Sequence, residues 1–257
     1  MAMAFQPQLK KIADFGTNEP WFSRTEMTML EFLPYIRTDK HVDLVTSKDI
    51  PADFDKKKEA LTGRVMALGE ELGQAFISLR HIRAANGMFP THLEMVKAYR
   101  DLYSHLWVAY KDRFQKLMKD LGYDIGFVFQ SDEAFDAKAA EFTKARPDIH
   151  SELMDRIKDD KLGWHTALRL FRDEGEHSTN EPTFEGHPMQ SLRSAEVIFS
   201  NTWHAMEDIF ICCMQEEFGK QLTIFEIPKE DRDRANPKKY VVGLTVDTET
   251  GEVKSRT

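Results

Sequence analysis

Cysteine is the scarcest informative residue in this 257-residue chain: there are two, adjacent at Cys212 and Cys213. Neighbouring positions in a helical pattern face different ways and lack the two-residue spacer of a redox pair. A disulfide framework and thioredoxin-like chemistry are therefore excluded, and a reducing, cytoplasmic setting is expected. No uninterrupted apolar run approaches the roughly 18 residues of a membrane span. The opening MAMAFQPQLKKIADFG also lacks a secretory h-region, so a soluble, unexported protein with no membrane partner is expected. Basic charge is in deficit. The net charge of −8 and pI near 5.6 argue against a broad nucleic-acid-binding surface. There is no P-loop, GxGxxG, GxSxG or zinc-finger spacing, which removes support for nucleotide hydrolysis and for α/β-hydrolase chemistry.

What the chain does contain is a foldable core. Hydrophobic residues make up 41%, and 18 Phe, 6 Tyr and 4 Trp are far too many for a disordered polymer. Leu61, Val65, Leu68, Leu72, Leu79 and Ile82 recur at helical spacing, predicting a helix over 56–85 that stops at NGMFP. Thr91 and Glu94 form a capping box for a second helix over 91–121, lined by Leu93, Val96, Tyr99, Tyr103, Leu106, Tyr110, Phe114, Leu117 and Leu121 and ended by Gly122. Shorter helices are expected within 131–145, at 148–158 and at 162–175. The polar, Pro- and Gly-bearing segment 176–189 reads as a loop before a long aromatic helix at 190–218, with Phe199, Trp203, Ile209 and Phe210 inward. YVVGLTVDTETGEVKSRT reads as a C-terminal β-hairpin turning at TETG. The expected fold class is all-α: a bundle domain over 56–220, an irregular N-terminal extension over 1–55, and a tail over 221–257 carrying the hairpin.

One helix closes strangely. In the 162–175 helix, Leu162, Ala167, Leu168, Leu170 and Phe171 supply the apolar side, and then the chain reads Arg172-Asp173-Glu174-Gly175-Glu176-His177. Acidic groups at a helix C-terminus oppose the macrodipole, so Arg169 and Arg172 are the obvious local compensation. Gly175 can end the helix or turn left-handed, which would swing His177 back towards Arg172, ahead of the polar loop STNEPTFEGHP.

This hexapeptide, on a helix end within a helical bundle, resembles the Arg-x4-His signature of the HEPN superfamily. The resemblance implies a metal-independent, cofactor-free endoribonuclease acting as a homodimer with two motifs facing each other. It implies that Arg172 binds the scissile phosphate of RNA, that His177 acts as general acid or base, and that Asp173 orients the motif or the attacking 2′-hydroxyl. Toxin–antitoxin and antiviral defence systems are where such proteins work, so an antitoxin or other defence-system partner protein is implied as well. The residue types suit the chemistry, since Arg stabilises charge on phosphoryl oxygens and His titrates near neutral pH.

Other readings stand beside it. The fold without the activity would give a non-catalytic protein that binds RNA, a nucleotide or a partner. The same spacing recurs at Arg100-Asp101-Leu102-Tyr103-Ser104-His105, but inside an unbroken helix residues five apart diverge by about 140°. A third reading is a metal-binding bundle drawn from His165, His177, His187, His204 and Glu207, with His177, His204 and Glu207 as its ligand set. His204 and Glu207 share a helix face, although their order is the reverse of the Glu-x-x-His of di-metal bundles.

Overall fold

A computed structural model of the chain describes residues 54–85, 88–147, 151–177, 191–218, 222–226 and 240–244. The expected N-terminal extension over 1–55 falls almost wholly outside these residues, as does most of the segment 176–189 expected to be a loop.

The described residues are mostly helical, which is the expected fold class. Helix α1, Phe54–Ala85, buries Leu61, Val65, Leu68, Leu72, Leu79 and Ile82 in one stripe. Helix α2, His92–Trp107, lies along it and begins as the capping box requires, with Thr91 Oγ1 accepting from the Glu94 amide at 3.2 Å. Of the nine positions expected to line this rod, Leu93 is exposed and Leu121 only partly buried, while the other seven are core.

The rod is not a continuous α-helix. Val108–Phe114 winds as a π-helical segment before α3, Gln115–Asp120, restores normal pitch. Gly122, at φ 91, then turns the chain. The DIGFVFQ stretch, which periodicity leaves open, becomes a 3-10 turn over Ile125–Phe129 that Asp124 caps through the Gly126 amide. Helix α4 follows over Asp132–Ala145.

Two predicted short helices form one kinked rod. Helix α5, Ser151–Asp160, passes through a second π-helical segment, Lys161–His165, into α6, Thr166–His177. Gly163 sits inside that segment with non-helical φ −94 and ψ −113. The kink explains why Leu162 is exposed rather than on the apolar side. Leu170 is exposed too, and Leu168 and Phe171 carry the packing. Phe171 meets Tyr103 edge-on at 4.5 Å, tying α6 to α2.

Helix α7, Leu192–Phe218, packs across α1, α2 and α5, with Phe199, Trp203, Ile209 and Phe210 buried as expected. Cys213 is buried and Cys212 half-buried, neither of them in a disulfide among the described residues. Beyond it, β1, Leu222–Glu226, pairs antiparallel with β2, Tyr240–Leu244, in register from Leu222 opposite Leu244 to Glu226 opposite Tyr240. The TETG turn and the strand expected after it lie outside the described residues.

No helix among the described residues is long and apolar enough to cross a membrane.

Candidate functional site

Helix α6 carries the motif. Leu168 and Phe171 face the core, which places Arg172 at the edge of the buried face and Asp173 beside it, both half-buried. Arg172 Nη1 donates to Asp173 Oδ1 at 3.0 Å. The acidic neighbour thus fixes the guanidinium. Arg169, one turn earlier, is half-buried with no hydrogen-bond or ion-pair partner among the described residues. Its positive charge is felt at Lys161 and His165.

The expected break at Gly175 does not occur: α6 runs through Gly175 to His177. Glycine within a helix costs about 1 kcal/mol relative to alanine, too little to end a helix whose previous turns are anchored by Leu168 and Phe171. Positions 172 and 177 are therefore separated by about 140° and about 7.5 Å along one continuous axis. The Arg172 and Asp173 side chains are brought together. The side chains of His177, Glu174 and Glu176 lie outside the described residues.

The second Arg-x4-His match separates as helical geometry dictates. Arg100 is exposed, whereas His105 Nδ1 lies 3.1 Å from Glu71 Oε2 on α1. Arg113 Nη2 donates to the other Glu71 oxygen at 3.3 Å. In a regular α-helix residues eight apart are offset by about 80° after two turns. The extra residue of the π-helical segment absorbs about 100°, so His105 and Arg113 reach the same carboxylate.

The metal constellation falls only partly within the described residues. Among the described residues no group of three or more His, Cys, Asp or Glu side chains is placed to hold an ion. Glu207 is buried and His204 half-buried on α7. His187, like the His177 side chain, falls outside the described residues, and His165 is enclosed elsewhere.

That enclosure is the feature that periodicity misses. His165 is 1% exposed and surrounded by Trp107, Tyr110, Phe129 and Trp164, with ring centroids at 5.4, 5.8, 5.5 and 5.9 Å. Neither ring nitrogen has a hydrogen-bond partner among the described residues. Burial, reinforced by the charges of Lys161 and Arg169 and only partly opposed by Asp132, pushes its pKa down to about 3. Lys161 is as deeply buried. Its Nζ donates to the Gln130 carbonyl at 2.6 Å and lies 3.6 Å from Asp132 Oδ1. Burial lowers its pKa as well. Thr166 Oγ1 donates to the Lys161 carbonyl at 2.7 Å, and Trp164 Nε1 donates to Asp160 Oδ1 at 2.7 Å. In the sequence, Lys161, Trp164 and His165 stand close together around Gly163, but the rings of Trp107, Tyr110 and Phe129 that complete the box come from distant segments.

No protein-family model matches the chain, and no curated protein or solved structure matches it either.

Proposed function

We propose that the chain is a HEPN-like, homodimeric endoribonuclease that cleaves RNA without a metal, using Arg172, Asp173 and His177. The carrying observation is the Arg172–Asp173 hydrogen bond, which holds a half-buried guanidinium in place on α6, one turn from Arg169, a cation with no ion-pair partner among the described residues. Two cations on one rim offer phosphoryl oxygens a charge-assisted site in an otherwise acidic protein. In the reaction, a 2′-oxygen attacks the adjacent phosphorus and the bond to the 5′-oxygen breaks. One proton leaves the 2′-hydroxyl and one reaches the departing 5′-oxygen, and His177 carries one of these transfers. Because α6 is continuous from 172 to 177, the productive pairing is across a two-fold axis: Arg172 and Asp173 of one protomer with His177 of the partner subunit. A defence or toxin–antitoxin module, with a cognate protein partner, is the setting that this activity fits.

The unbroken helix at Gly175 favours a second reading, a protein of the same architecture that binds RNA or a partner without cleaving.

RNA cleavage in excess EDTA separates the two. Wild type is expected to cleave, and Arg172→Ala and His177→Ala are each expected to lose at least about a hundredfold in rate. Mixed Arg172→Ala and His177→Ala protomers should regain activity, because one of the two composite sites is then intact. Binding without cleavage by the wild type sinks the ribonuclease and leaves the binding protein. Equal cleavage by the single variants removes these residues from the site.

A further inference from the structure

Two π-helical segments face each other across His165. Tyr110 comes from Val108–Phe114, Trp107 from the turn before it, and Phe129 from the 3-10 turn. Trp164 and His165 come from Lys161–His165. A neutral imidazole suits this box: it has one N–H and one lone pair, and burial of these costs much less than burial of a charge. A protonated one does not, because it brings a second N–H where neither ring nitrogen finds an acceptor among the described residues.

The charges around the box do not compensate. On the same segment Lys161 is buried, and Arg169 on α6 adds further positive potential. The Trp107 ring, which would be the best cation partner, already carries Lys111 Nζ at 5.4 Å. Asp132 on α4 is engaged by Lys161, and Asp160 holds Trp164. On α7, which packs against this segment, Asp208 pairs with Arg156, and Glu207 is buried. Tyr110 is held neutral, its pKa raised first by burial and then by Asp160.

A route out exists. Gly163 is already non-helical, and a methyl group attached to its Cα would meet no other atom within 4 Å, so the backbone has open space at the kink. We propose that the His165 box is an acid-sensitive latch: protonation expels the imidazole by a pivot at the Gly163 kink and frees Lys161–His165 from Trp107 and Tyr110. The latch stands independently of the ribonuclease reading, although α6 and Arg172 lie directly beyond it.

The sign follows from linkage. The folded-state pKa is depressed, so the unfolded chain binds the proton first; the latch's stability is complete above the ordinary value of 6.5 and is lost as pH falls from there towards about 3. Between pH 7.5 and 5.0 this one group lowers the folded-to-unfolded ratio about 30-fold.

The test is denaturant unfolding of the full chain at those two pH values, followed by tryptophan fluorescence. His165→Phe, which fills the box with an apolar ring, is expected to lose much less stability than wild type on acidification. Equal losses in the two proteins overturn the latch. The wild-type imidazole resonances give a readout that does not depend on the variant folding: His165 is expected to stay neutral in the folded protein at pH 5.5, and a folded-state midpoint near 6.5 overturns the proposal equally.

Discussion

Tyr110 and His165 meet edge-on with ring centroids 5.8 Å apart, and each is carried by a helical segment wound looser than an α-helix. The looseness sets register. One extra residue in Val108–Phe114 turns everything after it by about 100° relative to a regular α-helix, which brings buried Phe114 and Met118 each within about 20° of Leu106. Inserting one residue after Asp112, an exposed position of that segment, would turn α3 by about 100° off the core, whereas deleting Asp112 would let the segment wind as a regular α-helix with α3 still in phase. Loss of dispersed side-chain resonances or of cooperative unfolding is expected for the insertion, with the deletion keeping both and Asp112→Ala as the native-like control. An insertion variant as stable as that control would show that the phase of α3 has no part in the packing.

The same extra residue brings Arg113 over Glu71 alongside His105. Glu71 is mostly buried, whereas its two partners are more than a third exposed, so solvent screens much of the attraction. Glu71→Ala is expected to lower stability by about 1 kcal/mol at most, and Arg113→Ala by less. In a double-mutant cycle a Glu71–Arg113 coupling indistinguishable from zero would reduce this cluster to a coincidence of surface charges.

Tyr123 offers a sharper stability prediction. Its buried hydroxyl donates to the Cys213 carbonyl at 2.9 Å, ninety residues away, and accepts from Arg146 Nη2 at 3.0 Å. The Arg146 guanidinium also lies 4.1 Å from the ring centroid. This side chain ties the turn after α3 to α7 and to the end of α4. Tyr123→Phe is expected to cost about 1–3 kcal/mol, because it leaves buried polar groups short of a partner while keeping the ring. An unchanged urea midpoint would mean that water or other groups satisfy them.

Much of the bundle was legible because burial writes a 3.6-residue period. Leu61 to Ile82, Val96 to Leu106 and Phe199 to Phe210 all lie where that period puts them, and the Thr91 cap was readable from side-chain chemistry alone. What was not legible breaks the period. A π-helical segment leaves both flanking stripes intact and only shifts their phase, so 91–121 read as one α-helix. The Gly163 kink turned Leu162 outward, and His165, counted among polar candidates, became a core residue because aromatic rings from distant segments close over it. Gly175 erred in the other direction. Local propensity allowed a helix end, but the packing of Leu168 and Phe171 carries α6 past it.

Arg169 provides the test that bears most directly on nucleic acid. It is half-buried on α6, one turn before Arg172, and makes no hydrogen bond or ion pair among the described residues. A cation without such a partner can be removed at little cost to the fold, so Arg169→Ala should unfold within about 0.5 kcal/mol of the wild type. If α6 tracks a single-stranded RNA backbone, removal of one phosphate contact should weaken binding and reduce the slope of log affinity against log salt by about 0.7. Arg172→Ala should produce a comparable loss of slope together with loss of cleavage. Titrating a labelled single-stranded RNA at several salt concentrations measures both. An unchanged slope for Arg169→Ala, with affinity intact, would place the RNA path elsewhere on the protein.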